Sequence, residues 1–403
     1  MISPFKVLMI SHLRRSRTYA RSLIMAKNLV KRGHKVTLLS TAEERKTGMS
    51  VDSEDGVRMI ESPDLFTGKM RTGWDLWNLF NRLRFMDRDS GQYDIVHTFE
   101  TRPVSIYPAL RQLRRRPALF LTDWNDWWGR GGIISENRPR WYRWLFEGLE
   151  THYEEAFRCR ADGLTVISTA LKQRAVQLGM PPDRIRVISG GATPQDYPCW
   201  PVQECRQRVG VTSSSLIVGF SSIVAHYELE MIIKVIAEIK KTLPDAKLMI
   251  TGKPGTLVQG LAQEYGVSEN VFLTGYVSFE DLPVYLGCAD LFILPFPDKV
   301  YNVGRWPNKI GDYLCAGRPI VANPVGDVKT LLEEHSIGSL AAWDPADFAA
   351  KILQIYQNPD LAAQMGQAAR KLAEEKLDWQ LLTEQLEDFY LQLWLSKQTQ
   401  TLP

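Results

Sequence analysis

Tyr301–Val321 reads YNVGRWPNKIGDYLCAGRPIV and comes directly after an apolar run, Leu291–Phe296 (LFILPF), with the character of a buried parallel strand. A short helix over Asn308–Ala316 then leads to another apolar segment, Pro319–Asn323. Strand, helix, strand is the unit from which doubly wound sheets are built. Pro307 suits the first helical turn, where a missing N–H costs nothing. Gly317 suits the left-handed position that ends a helix. Lys309 is the odd residue, because a cation in the first turn opposes the helix dipole unless an anion sits there. Arg305 and Lys309 can reach one diphosphate, and Asp312, one turn further on, can accept hydrogen bonds from sugar or ribose hydroxyls. The pattern points to a nucleotide-sugar site. The alternative is a solvated helix start whose charges pair with each other.

The same alternation runs in both directions from this stretch. In the first half, Lys6–Ile10, Lys35–Leu39, Ile95–Thr98, Ala118–Thr122 and Gly163–Ser168 are expected strands. Helices are expected over Ser16–Arg32, closed by Gly33, and over Arg138–Arg158. The segment SGGATPQDYPCW, ending at Trp200, breaks the pattern and is the expected interdomain linker. Strands resume at Leu216–Phe220, Lys247–Thr251 and Val271–Thr274. Amphipathic helices fill Pro345–Lys376, and a last one covers Trp379–Leu395. The expected fold is therefore α/β, with two Rossmann-like doubly wound domains facing across a cleft at the carboxyl ends of both sheets, where ligands bind.

Composition agrees with this plan. A chain of 403 residues suits two domains of common size. A hydrophobic fraction of 44% and a charged fraction of 24% are those of a soluble globular protein. A net charge of +3 is too weak to argue for nucleic acid. Arginines cluster at Arg14, Arg15, Arg17 and Arg21 and again at Arg111 and Arg114–Arg116. Such runs are solvated faces in the plain reading and contacts to an anionic acceptor or membrane surface in the sharper one. Cys159, Cys199, Cys205, Cys288 and Cys315 are scattered and form no CxxC pair, which argues against a disulfide framework and a zinc site. The start MISPFKVLMISH reads as a first strand and not as a signal peptide. No apolar stretch is long enough to span a bilayer. A reducing, cytoplasmic setting is the resulting expectation.

Several longer segments carry a family resemblance. ADGLTVISTALKQRAVQLGMPPDRIRVISGG (Ala161–Gly191), VFLTGYVSFEDLPVYLGCADLFILPF (Val271–Phe296) and PNKIGDYLCAGRPIVANPVGD (Pro307–Asp327) follow one another in the order and spacing of the B-fold glycosyltransferases. LVKRGHKVTLLS (Leu29–Ser40) and YDIVHTF (Tyr93–Phe99) add weaker matches. The chain most resembles the family-4 group over nearly its whole length. That resemblance implies transfer of a sugar from a nucleoside-diphosphate donor, with retention of anomeric configuration and without an essential metal or other cofactor. It implies an acceptor-side domain over 1–192, a donor-binding domain over 193–378, and a terminal helix over 379–403 crossing back to the first. It places Gly275 and Tyr276 against the base, Arg305 and Lys309 at the diphosphate with Asn308 beside them, and Asp312 near the ribose. Gly326 is expected to let the backbone approach the donor sugar, or to be a plain turn glycine.

The chain departs from the family pattern in three places. Gly304 stands where the first glutamate of a Glu-x7-Glu pair is usual, with Asp312 at the second. Ser221, Ser222, His226 and Glu228 replace the usual Arg and Lys after the first strand of the second domain. Ser11, His12, Leu13, Arg14 and Arg15 replace a glycine-rich loop.

Glycosyl transfer needs the leaving diphosphate neutralised and an acceptor hydroxyl held on the correct face of the sugar. The second requirement points to LTDWNDWWGRGG (Leu121–Gly132), which combines three Trp, two Asp and a glycine-rich turn. Aromatic faces suit sugar rings, and a carboxylate can orient a hydroxyl or take its proton. Relatives often carry a His-Asp pair here. Asn125-Asp126 takes that place, so Asp126 is the first candidate and Asp123 the reserve. The alternative is a structural loop whose Trp residues plug the core. His12, at a strand end, is a third candidate, whereas His97 suits a hydrogen-bonded core. Gly73–Arg88 carries Leu76, Leu79, Phe80 and Leu83 on one face, expected to pack on the first domain or to touch membrane or a lipid-linked acceptor. The Asp87-Arg-Asp89 run reads as surface.

The function expected from all this is a retaining glycosyltransferase using a nucleotide sugar. The acceptor is a glycan, a lipid or a small molecule, without nucleic acid and with a peripheral membrane contact as the outer case. The alternatives are a sugar-nucleotide epimerase of the same fold and a degenerate, non-catalytic binding partner.

Overall fold

The computed structural model describes residues 4–14, 21–44, 46–64, 73–198, 200–211, 215–221, 226–252 and 255–400. Arg15, Arg17, Cys199 and Ser222, and the side chains of Arg14 and His226, lie outside the described residues. The chain divides into two compact units. The first comprises Met1–Ser189, Gly304–Trp306 and Trp379–Pro403; the second comprises Gly190–Val303 and Pro307–Asp378.

The first unit holds β1 (Lys6–Arg14), β2 (Lys35–Thr41), β3 (Ser50–Glu54), β4 (Val57–Ser62), β5 (Ile95–Phe99), β6 (Leu119–Trp124), β7 (Gly163–Val166) and β8 (Ile185–Val187). They lie in the order β3-β4-β2-β1-β5-β6-β7-β8. The β3–β4 pair is an antiparallel hairpin, and the other pairs are parallel. Strands β5, β6 and β7 are buried along their length, as helices on both faces of a parallel sheet require. Successive residues of β1 serve opposite faces. Val7 and Met9 pack with helices Arg21–Lys31 and Trp379–Gln400, through Leu29, Leu386, Phe389 and Tyr390. Leu8 and Ile10 pack with Met86, Ile106, Ala109 and Phe157 on the other face.

Of the two expectations for helix Leu76–Arg88, packing of its leucine face on the first domain fails for Leu76 and Phe80. Asn78, Arg82 and Met86 face inward, while Leu76, Trp77 and Phe80 are exposed. Arg82 is fully buried and gives four hydrogen bonds, to Ser11 O (2.9 Å), Val104 O (2.8 Å), Ser62 Oγ (2.9 Å) and Thr41 Oγ1 (3.0 Å). Those acceptors offset the cost of taking a guanidinium out of water and fix Arg82, rather than a leucine, at the inward position. Asp87 and Asp89 pair with Arg111 (2.6 Å) and Arg58 (3.3 Å).

A second buried polar chain crosses the other face. Arg21 Nε lies 3.2 Å from Asp123 Oδ2, and Arg21 also donates to Ser189 O at 2.7 Å. Thr165 Oγ1 donates to Asp123 Oδ1 and meets His97 Nε2 at 3.2 Å, and His97 Nδ1 meets the Tyr390 hydroxyl at 2.7 Å. Burial holds His97 down at about 4, so it is a neutral core residue. Breaking this network leaves a buried charge alone. Arg21→Ala is expected to lower stability by about 3–5 kcal/mol, read from denaturant unfolding.

The second unit holds β9 (Ile217–Ser221), β10 (Lys247–Thr251), β11 (Val271–Gly275), β12 (Leu291–Leu294), β13 (Ile320–Ala322) and β14 (Gly338–Leu340), in the order β11-β10-β9-β12-β13-β14. All five pairs are parallel. Its core packs helices His226–Lys240 and Pro345–Tyr356 through Ile232, Ile236, Ile239, Phe348 and Ile352 against Val218, Phe220, Leu248 and Ile293. Helix Lys309–Cys315 begins one residue later than expected, with Asn308 as its N-cap and Pro307 just outside. Gly317 follows its C-cap in the left-handed conformation, at φ 63°. Strands β3, β4, β8 and β14 have no counterpart in the sequence reading, since they are three to six residues long and mix polar with apolar residues.

Candidate functional site

In the second sheet the strand order reverses between β9 and β12, and the crevice at such a switch point is where open α/β sheets take ligands. Lys309 occupies that point. Its ammonium lies 4.0 Å from the ring centroid of Phe220, near the carboxyl end of β9. The helix carrying it is anchored to both central strands: the Tyr313 hydroxyl accepts from Ser221 N at 2.9 Å, and the Tyr313 ring stacks on Phe292 at 4.0 Å. Asp312 Oδ1 accepts from the Tyr197 hydroxyl at 2.7 Å.

Gly311 has no space for a side chain, because a Cβ there would sit 2.5 Å from Gly191 O. That closeness fixes helix and linker against each other, and sequence reading assigned nothing to Gly311. Gly311→Ala must displace backbone and is expected to destabilise the second unit by about 1–3 kcal/mol, measured as a lowered Tm.

The other donor-side candidates collect at the same end of this sheet. Gly275 ends β11 at φ 72°, followed by Tyr276, which is exposed. Gly326 opens helix Gly326–His335 after β13, at φ 53°, where a Cβ would meet Val303 O at 3.0 Å. Asn323 holds the strand ends together, accepting from Phe296 N (2.8 Å) and donating to Ala341 O (3.0 Å). Asn308 is exposed at its N-cap. Arg305 groups with the first unit, where Ser168 Oγ donates to the neighbouring Gly304 O at 3.0 Å.

In the first unit the order reverses between β1 and β5. His12 and Glu100 each lie one residue beyond the last β1–β5 pair, Ser11 with Phe99. Glu100 is held at φ 66°, a conformation that costs a side-chain-bearing residue energy and recurs at functional sites. Its carboxylate accepts from Asn125 N (2.9 Å) and pairs with Arg158 (2.7 Å). Glu154 accepts from Trp124 Nε1 (3.0 Å), Trp128 N (2.7 Å) and Gly129 N. Two buried glutamates thus set the loop after β6. Trp124 Nε1 also donates to Asp126 O at 2.9 Å, fixing the backbone of the candidate carboxylate.

Asp126 itself is half-buried. Burial, and after it the Glu100 carboxylate, push its carboxyl up to about 7, against the opposing fields of Arg305 and Arg102. A carboxyl titrating near neutrality can hand a proton in either direction at working pH. Asp123, the reserve candidate, is fully buried and neutralised by Arg21, so it meets no acceptor. The Trp residues divide in the same way. Trp124 is fully buried under Arg158 (4.5 Å), while the half-buried Trp127 and Trp128 carry Arg174 (4.0 Å) and Arg102 (4.5 Å) on a face. The aromatic surface expected for sugar rings is partly taken by guanidiniums. Glu100, Arg102, Glu154 and Arg158 were missed in the sequence. The available signals were the position of Glu100 just after a strand and the Glu154/Arg158 spacing of one helical turn. Among the described residues, no cluster of three His, Cys, Asp or Glu is placed to hold a metal.

Two family models match: "Glycosyltransferase Family 4" over residues 22–196 and "Glycosyl transferases group 1" over residues 215–358. The chain is a family-4-like glycosyltransferase of the B fold. This glycosyltransferase is 26% identical over 181 residues to a GDP-mannose-dependent alpha-(1-6)-phosphatidylinositol monomannoside mannosyltransferase of Mycolicibacterium smegmatis, covering 43% of this chain and 47% of that one. It therefore spans about half the length of the first curated relatives it matches. A glycogen synthase of Mycobacterium tuberculosis is 25% identical over 384 residues, covering 89% and 87%. Among solved structures, sucrose-phosphate synthase from Thermosynechococcus elongatus superposes with a TM-score of 0.74 at 17% identity, covering 97% of this chain and 100% of that one. Anabaena HepE in complex with UDP and glucose gives 0.69 at 15% identity, covering 95% and 98%. Both show the fold.

Proposed function

We propose that this glycosyltransferase moves a sugar, with retention of anomeric configuration, from a nucleoside-diphosphate sugar to an acceptor hydroxyl. The observation that carries the reading is the Lys309 ammonium, held over Phe220 at the switch point of the second sheet. A point charge there meets a diphosphate at the place where open α/β sheets take nucleotides. Arg305 supplies a second cation, and a guanidinium grips two phosphate oxygens at once. Asp312 and Tyr197 form a hydroxyl-binding pair for the ribose, and Gly275, Tyr276, Asn308 and Gly326 line the carboxyl end of the same sheet around the donor.

On the acceptor side, Asp126 orients the attacking hydroxyl and takes its proton. Glu100 and Glu154 act as positioning residues for the loop that carries it. The cations neutralise the leaving diphosphate without a metal, so turnover is expected to persist in excess chelator. The mannosyltransferase and UDP-bound relatives support a nucleotide-sugar donor.

The test is a thermal-shift screen against UDP, GDP, ADP and their sugars, followed by product analysis with candidate glycan, lipid and small-molecule acceptors. A stabilising donor whose sugar reaches the acceptor with its anomeric configuration kept is the expected result. Conversion of donor without acceptor would assign an epimerase. Donor binding without turnover would leave a non-catalytic binder.

A further inference from the structure

The helix Arg140–Glu155 is turned the wrong way for a soluble protein. Its buried positions are Glu150, Thr151 and Glu154, which serve the loop after β6, while Trp144 (85% exposed), Trp141 (62%), Leu145 (53%) and Leu149 (44%) face solvent. So much exposed apolar surface on one helix marks an interaction face. An open hollow of about 690 Å3 lies beside it, lined by Arg130, Arg140, Arg143, Trp141, Trp144 and Glu147.

Arginines outnumber acids on this face. Glu147 accepts from Ser135 Oγ, Glu154 is consumed by the Trp124–Gly129 loop, and Glu155 pairs with Arg174. Arg130, Arg138 and Arg140 are exposed and Arg143 is half-buried beside them, against the exposed Glu136 and the half-buried Glu147, whose serine partner leaves its charge in place. Helix Leu76–Arg88 adds Leu76, Trp77 and Phe80 outward, with Arg84 and Arg88 exposed. Met86 from that helix and Phe157, just after helix Arg140–Glu155, share one core cluster, so both helices cover the same side of the first sheet. Trp74 and Tyr153, at their adjoining ends, pack edge to face with centroids 5.0 Å apart.

We propose that this face docks on an anionic lipid bilayer, with lipid phosphates in the arginine-lined hollow and Trp141, Trp144 and Leu145 in the interfacial layer. Trp belongs at the headgroup boundary, and arginines beside it complement anionic headgroups. A protein partner that buried these Trp residues would desolvate the flanking arginines, whereas a lipid surface pairs them. Among the described residues no helix can cross a membrane, so the contact is peripheral.

The experiment is co-sedimentation of the full chain with phosphatidylcholine vesicles, with and without phosphatidylglycerol. The expected result is binding to the anionic vesicles alone, weakened by salt. Trp141→Ser with Trp144→Ser, and separately Arg130→Gln with Arg140→Gln, should each reduce partitioning by about tenfold or more. Tm and the nucleotide thermal shift should stay unchanged, so the outcome is read independently of the donor-site proposal. Absence of binding to anionic vesicles overturns the inference, as does binding that the Trp pair does not affect. A dimer in light scattering that the Trp pair dissolves assigns the face to a second copy and also overturns it.

Discussion

Asp126→Asn is expected to lower turnover by about 10²–10⁴-fold while leaving the nucleotide thermal shift intact. Asparagine keeps the shape and one acceptor oxygen but cannot take a proton. The pH profile makes the assignment specific. With its carboxyl pushed up to about 7, Asp126 is ionised only above neutrality, so turnover should rise with pH through a midpoint near 7 and lose that limb in Asp126→Asn. Glu100→Gln removes a neighbouring negative charge and should move the limb to lower pH, because the Glu100 carboxylate raises the Asp126 value. Stability gives a second readout. A carboxyl whose folded value lies above its unfolded value near 4 binds more protons folded than unfolded across pH 4–7. Its contribution therefore weakens stability as pH rises through that window. Asp126→Asn should accordingly raise Tm at pH 8 and leave it little changed at pH 4. A rate profile flat across pH 6–8 in the parent protein would remove Asp126 from the proton transfer.

Lys309→Met is expected to cost about 10²–10³-fold in kcat, the size seen when one preorganised charge or donor at a developing anion is removed. Methionine keeps an apolar stem over Phe220, so the helix start and the strand end should retain their packing. The loss should concentrate on diphosphates: affinity for a nucleoside diphosphate falls, and affinity for the bare nucleoside does not. Turnover and diphosphate affinity that both match the parent protein would place the leaving group elsewhere. Arg305→Ala tests the second cation by the same comparison, and a smaller effect there suits a group that also acts on Asp126.

The two acids of the loop after β6 show where sequence reading stops. Asp123 and Asp126 sit three residues apart in a single motif, and nothing local separates them. Their fates are set by Arg21, 102 residues from Asp123, and by Glu100 after a neighbouring strand. The donor-side helix was more legible. A proline before it, a lysine in its first turn and a left-handed glycine after it are decided within a dozen residues, and the structure places the helix at Lys309–Cys315.

Short-range chemistry is what the chain alone determined: alternating apolar strands and helical periods, the stops at Gly33 and Gly317, and the doubly wound fold that follows from them. Only tertiary structure decided that Arg82 lies inside while Trp144 lies outside, that Asp123 is spent on an ion pair, and that Gly311 touches the linker. Periodicity reports which residues share a face but not which face is buried. That choice depends on hydrogen-bond partners supplied by distant strands, and a guanidinium making four such bonds can take an inward position in place of leucine.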